Sequence, residues 1–176
     1  MTNADDPNLV RRALQADPES FGRLCERYYP SLVAVADSIL LDHHLAEDAA
    51  QEALAYACRQ LPMLKKPELF GPWVAAICRN VARDMLRDRQ RRRPPVADGE
   101  AQEPDCRQDG QDEILAEALR HLPQHLREVV YLRFYNGLSY QQIASVLGAS
   151  QESIDGRLRR AKKEIAAFMK ARGFEP

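Results

Sequence analysis

The chain has 176 residues, 45% of them hydrophobic and 29% charged, and its 25 Lys and Arg against 26 Asp and Glu leave a formal net charge of -1. A chain of this length buries one medium core or two small ones, and two are expected. No apolar run is long enough to cross a bilayer and the polar start MTNADDPN lacks the basic and apolar regions of a signal peptide, so a cytoplasmic protein without membrane insertion is expected.

Periodicity along the chain is helical nearly throughout, which predicts an all-α fold. Asp17 and Pro18 open a helix in which Phe21, Leu24, Tyr28, Leu32, Val35 and Ile39 recur at three- and four-residue intervals, with Tyr29-Pro30 marking a bend or a division. His43, His44, Glu47, Asp48 and Glu52 raise the question of a metal site. The histidines stand in a polar loop before the next helix and no second helix supplies matching ligands, so neither metal nor cofactor is expected. From about Ala46 to Leu61 a helix packs through Ala49, Ala50, Ala53, Leu54, Ala57 and Cys58, leaving Asp48, Gln51, Glu52 and Tyr56 outward. Pro62 ends it, and MLKKPELFGP reads as a loop of the length that carries function. Trp73 to Arg93 follows as a helix with Trp73, Val74, Ile77, Val81 and Met85 inward. Cys25, Cys58 and Cys78 read as small apolar residues on helices, and with Cys106 they share no CxxC spacing, so no zinc site or disulfide framework is supported.

Charge is unevenly distributed. Residues 79–93 are strongly basic, 97–113 hold seven acidic residues against Arg107 alone, and 157–163 are basic again. Two cationic blocks about an anionic strap suit a protein that grips a polyanion in two places. Pro94-Pro95 closes the first domain, and VADGEAQEPDCRQDG reads as a flexible linker. The boundaries are 8–95, 96–111 and 112–173. In the last segment a helix near Asp112 buries Ile114, Leu115, Ala118 and Leu119. Pro123 starts another with Leu126, Val129, Val130, Leu132 and Phe134, which Asn136-Gly137 stops.

Ser139 to Ala161 is a helix, a tight turn and a second helix. Ser139 caps the first helix, and Gln142 three residues on completes a capping box. Ile143, Ala144 and Leu147 face inward, Gly148 supplies a left-handed turn, and Ser150 caps the second helix. There Ile154 and Leu158 point in, while Arg157, Arg159 and Arg160 spread over the outer side. Small Ala144 lets the helices cross closely, the geometry that projects a recognition helix into a major groove.

The order AEDAAQEAL, PWVAAICRNVARDMLRDRQRR, a linker, and LREVVYLRFYNGLSYQQIASVLGASQESIDGRLRRAKKEI resembles the group 4, extracytoplasmic-function-type sigma factors, a two-domain class of bacterial transcription initiation factor. The resemblance implies a region 2-like domain, an extended linker lying in the polymerase channel later used by RNA, and a region 4-like domain. It implies core RNA polymerase and promoter DNA, as -35 duplex and -10 single strand, as partners. An anti-sigma factor accompanies many relatives. Asp48, Gln51 and Glu52 match the acidic DxxQE motif facing the polymerase clamp helices. Trp73, Ile77, Asn80, Arg83, Asp84 and Arg87 lie on the helix that melts and reads the -10 element, and the loop from Met63 to Gly71 matches the one that captures an unstacked base. Ser150 to Lys163, with Gln151, Ser153, Asp155, Arg157, Arg159 and Arg160, matches the -35 recognition helix. Asp155 and Gly156 depart from the usual basic residue followed by Ser or Thr. An acid repels phosphate but accepts from cytosine N4, so Asp155 faces either a base edge or phosphate and solvent, and the small Gly156 beside it, which lets the helix sit closer to the groove, favours the base edge. No catalytic residues are implied. A dimeric helix-turn-helix regulator and a metal-dependent helical hydrolase are the alternatives, to be separated by co-purification with core polymerase and by metal analysis.

Overall fold

The computed structural model describes residues 6–92 and 110–173. Eight α-helices, and no strand, occur among them. They are α1 Asp6–Leu14, α2 Pro18–Leu40, α3 His43–Gln60, α4 Phe70–Arg92, α5 Gly110–His121, α6 Gln124–Val130, α7 Tyr140–Leu147 and α8 Gln151–Ala171. The prolines at 94 and 95, Cys106 and nearly all of the acidic linker lie outside the described residues.

Local chemistry sets most boundaries. The Asp17 carboxylate accepts from the amides of Glu19 and Ser20, Pro18 occupies the first helical position, and α2 then runs through Pro30 without a break. Asp42 caps α3 by accepting from the amide of Leu45, so the helix begins at His43 and both histidines lie in its first turn rather than in a loop. The segment expected as an open loop is more ordered than its composition indicates. Two 3-10 turns, Leu61–Met63 and Pro67–Leu69, fold it back; Leu64 and Phe70 are buried, and α4 already starts at Phe70.

The helix α1 lies upstream of the elements assigned from sequence. Its Asp6 is fully buried, paired with Arg27 and accepting a 2.8 Å hydrogen bond from the Tyr28 hydroxyl. Burial and that bond raise the Tyr28 phenol far above its usual range. The Tyr28 ring meets Phe70 edge-on at 5.2 Å, and a Cβ at Gly71 would fall 3.1 Å from it. Only glycine leaves the ring its place there.

The second half of α2 is buried on all sides from Ser31 to Leu40 save Asp37. A helix apolar all round must be covered all round. The helices α3 and α4 cover one side; α6 and the five-residue π-helical segment Tyr131–Tyr135 cover the other. The expectation of two cores is corrected accordingly: one contiguous buried cluster runs from Leu9 to Ala161 and includes residues of both halves. The π-helical segment carries a further correction. It shifts the register so that Phe134, expected in the core, is 58% exposed, with Tyr135 beside it stacked on Tyr131 at 4.7 Å. Leu115 and Cys58, also expected to pack, are exposed.

Candidate nucleic-acid and polymerase interfaces

Three surfaces carry the residues singled out above. The first is on α3. Ala46, Ala49, Ala50, Ala53, Leu54 and Ala57 are buried against α2 and α4, which sets Asp48, Gln51 and Glu52 on the opposite, exposed side. The two carboxylates have no ion pair among the described residues, so α3 offers uncompensated negative charge. His43 is turned to Asp37 at 3.4 Å and to Glu47 at 3.9 Å. Among the described residues no group of three or more His, Cys, Asp or Glu is placed to hold a metal ion.

The second surface is α4. Val74, Ala75, Cys78 and Ala82 are buried, and the Cys78 thiol donates to the carbonyl of Leu32 at 3.3 Å while burial pushes it up to about 12. That seam fixes the rotation of the helix and leaves Asn80, Arg83, Asp84 and Arg87 exposed. Asp84 and Arg87 are paired with each other, and Arg87 also donates to the carbonyl of Arg83. Trp73 is half-buried at the first turn, packed on Phe70 at 5.9 Å. Beside it the segment between α3 and α4 is pinned by Leu64 and Phe70 and exposes Lys65 and Lys66. Far along the helix, Arg89 meets the α3 cap residue Asp42 at 3.3 Å.

The third surface is the helix-turn-helix. Both halves of the capping box form: Gln142 N donates to Ser139 Oγ at 3.2 Å and Ser139 N to Gln142 Oε1 at 2.8 Å. Gly148 adopts φ 63°, and Ser150 caps α8 by accepting from the amide of Ser153. Ile154, Leu158 and Ala161 are buried, so α8 turns Gln151, Arg159 and Arg160 outward. Asp155 is held by Arg159 one turn on, at 2.7 Å. Arg157, expected on the outer side, is only partly exposed and borders a cleft shared with α4.

That cleft contains what the sequence did not reveal. About 380 Å³ in volume, it is lined by Arg79 and Arg83 of α4, by Gln124, His125 and Glu128 of α6, and by Leu147 and Arg157. Arg79 donates to Glu128 at 2.8 Å, and Glu128 is 5% exposed. Its neighbour Arg127, 9% exposed, donates to the carbonyls of Ser38 at 2.5 Å and Arg120 at 3.0 Å. Arg127 thus places a cation against carbonyls near the ends of two helices. The one signal that could have pointed here is SLVAVADSIL, whose small and apolar residues occupy every face of the helix save at Asp37 and call for a cover from outside the first unit.

Comparison with known proteins matches both halves of the chain. Residues 24–92 match Sigma-70 region 2 and residues 112–165 match Sigma-70, region 4, together well over half of the chain. The chain is 33% identical over 159 residues to a probable RNA polymerase sigma factor RfaY of Xanthomonas campestris pv. campestris; the match takes in 84% of this chain and 40% of that relative's length. To the ECF RNA polymerase sigma-E factor of Escherichia coli K12 it is 29% identical over 177 residues, covering 91% of this chain and 92% of the relative. Among solved structures, CnrH in complex with the cytosolic domain of CnrY resembles it with TM-score 0.62 at 25% identity, covering 94% of this chain and 97% of that one. The sigma factor RpoE from Bartonella quintana, in complex with the anti-sigma factor NepR, does so with TM-score 0.57 at 27% identity, covering 86% and 98%. With region 2 in its first half, region 4 in its second and relatives of the extracytoplasmic-function group, the chain belongs to the sigma-70 family of RNA polymerase sigma factors.

Proposed function

We propose that the chain acts in the cytoplasm as an alternative sigma factor, an initiation factor without catalysis of its own. It binds core RNA polymerase and directs it to a promoter set that it helps to melt. Residues 8–95 bind polymerase through Asp48, Gln51 and Glu52 and the -10 element through Trp73, Asn80, Arg83, Asp84 and Arg87. Residues 96–111 link this unit to residues 112–173, which read the -35 element through Gln151, Ser153, Asp155, Arg157, Arg159 and Arg160. An anti-sigma factor is a further partner, by analogy with the Bartonella quintana complex. Melting is driven by binding. The first unit favours the single-stranded -10 bases over duplex, and polymerase loading shifts the DNA toward the bubble.

The observation that supports this reading best is the separation of charge on the folded chain. An exposed acidic face on α3 lies apart from two basic helices, α4 and α8, so that one protein partner and one polyanion can be held together. Run-off transcription with core polymerase on genomic fragments tests the whole reading, and absence of a specific transcript would refute it. For the α3 face, reversing Asp48 and Glu52 to Lys is expected to lower core binding by an order of magnitude or more in a pull-down, with the melting temperature little changed. Undiminished capture would remove this face from the interface.

A further inference from the structure

The long helices α2 and α3 form an antiparallel hairpin about the Leu41-Asp42 turn, and Cys25 and Cys58 stand sixteen residues to either side of it. At about 1.5 Å of rise per residue the two are level with one another. Their neighbours meet as well. Phe21, one turn before Cys25, lines a cavity of about 200 Å³ together with Cys58 itself and with Leu61 and Pro62 just beyond it. The hairpin is also tightly packed. Ala46, Ala49, Ala50, Ala53 and Ala57 form the buried side of α3, and small side chains bring helix axes toward the short end of the usual range of about 8–10 Å. Facing Cα atoms then come within the roughly 4.4–6.8 Å that a disulfide spans.

The two thiols differ in access and sense each other. Cys25 is half-buried, Cys58 is exposed beside the open cavity, and the third described cysteine, Cys78, is fully buried. Burial pushes the Cys25 thiol up to about 11, and the charge of a Cys58 thiolate adds to the rise. Cys25 therefore stays protonated while Cys58 meets reagents from solvent.

We propose that Cys25 and Cys58 are a reversible thiol–disulfide site, oxidised by low-molecular-weight disulfides, that couples the stability of the first unit to the surrounding thiol poise. The Cys58 thiolate attacks one sulfur of the oxidant, forming a mixed disulfide and expelling one thiolate. Cys58 then carries no charge, so that part of the opposition to ionising Cys25 is gone. Cys25 gives its proton to the expelled thiolate and attacks the Cys58 sulfur, and the second half of the oxidant leaves. Two protein thiols are thereby oxidised to one disulfide, and one small disulfide is reduced to two thiols. A single bond that forms and breaks in this way differs from a permanent disulfide framework, and is the kind that operates among reducing thiols. The site rests on the α2–α3 hairpin and is independent of the sigma-factor reading.

The test equilibrates the full chain, at micromolar concentration, in mixtures of oxidised and reduced glutathione and quenches it with an alkylating reagent. Trypsin cuts after Arg23, Arg27 and Arg59, which puts Cys25 and Cys58 on separate peptides. Mass spectrometry is expected to find those two peptides joined within a monomer, with Cys78 still reduced. The oxidised chain is expected to melt about 5–10 °C above the reduced one, the range for closing a loop of this length, and to lose that gain when reductant is added. Cys25→Ser should stop at the mixed disulfide on Cys58, and Cys58→Ser should leave Cys25 unmodified, both without the rise in melting temperature. A wild type that keeps glutathione on Cys58, or that bridges to Cys106 or to a second chain instead, would overturn the proposal. So would a joined pair with no gain in melting temperature. Run-off transcription by the reduced chain bears on the sigma-factor reading alone, so the two claims fail separately.

Discussion

Asp155 shows how magnitudes decide between roles for a single side chain. Its 2.7 Å pair with Arg159 is an exposed i,i+4 contact, of a kind worth about 0.3–0.5 kcal/mol. A good base-edge contact discriminates by about 1–3 kcal/mol, so the pair does not keep Asp155 from DNA. Asp155→Arg is therefore expected to change the preferred -35 sequence in a selection from randomised duplexes; the same sequence from both proteins would confine Asp155 to phosphate or solvent. Asp37 poses a different problem. Burial raises its carboxyl above the usual range, against a smaller opposing effect of His43. The folded chain therefore holds this proton more tightly than the unfolded one. The resulting stabilisation is full below the ordinary carboxylate range and is lost as pH rises through the raised value. Asp37→Asn, which imitates the protonated form, is expected to stabilise at neutral pH and to lose that advantage as pH falls, as followed by denaturant melts across the acidic range. A gain independent of pH would show that ionisation is not the cause.

At the scale of elements, the caps and the turn of the helix-turn-helix were legible because each of these signals is local, whereas the side taken by Arg157 was not. The cap and the Gln142 reply span three residues, and the left-handed turn needs Gly148 alone. Ser139→Ala is expected to cost about 1 kcal/mol in a denaturant melt. Gly148→Ala should cost more, since φ 63° opposes any side chain and the new Cβ would also press on Pro72. Equal losses would remove the role given to Pro72. Elements that depend on distant partners were less legible. The turns at 61–69 are held by burying Leu64 and Phe70 against the first unit, and the π-helical segment answers to packing on α2, so Phe134 looked like a core residue while standing outside.

On the whole molecule, the arrangement of surfaces bears on promoter opening. If α4 acts on single-stranded DNA, replacing Asn80 and Arg87 with Ala should impair open-complex formation on a linear promoter more than on one with a pre-melted bubble. On the bubble the energy of unpairing has already been supplied, so only contacts are lost. Permanganate footprinting on both templates measures this, and equal defects would contradict a melting role. Arg87 is joined to Asp84 in the free chain, so the pair must part or move together when DNA arrives.

Sequence alone determined the helical class, the order of the units, the acidic face of α3 and the basic helices α4 and α8. These follow from periodicity, capping and charge within a few turns of chain, which is the range over which neighbours in sequence are neighbours in space. Tertiary structure decided the rest: the anchoring of Asp6 beneath Arg27 and Tyr28, the merging of two expected cores into one, and the pairing of Arg79 with Glu128 across 49 residues. Nothing in a stretch such as LREVV distinguishes a solvated Arg127 and Glu128 from buried ones. Their burial depends on which surface α6 meets, and that surface is built from α2 and α4, far away along the chain.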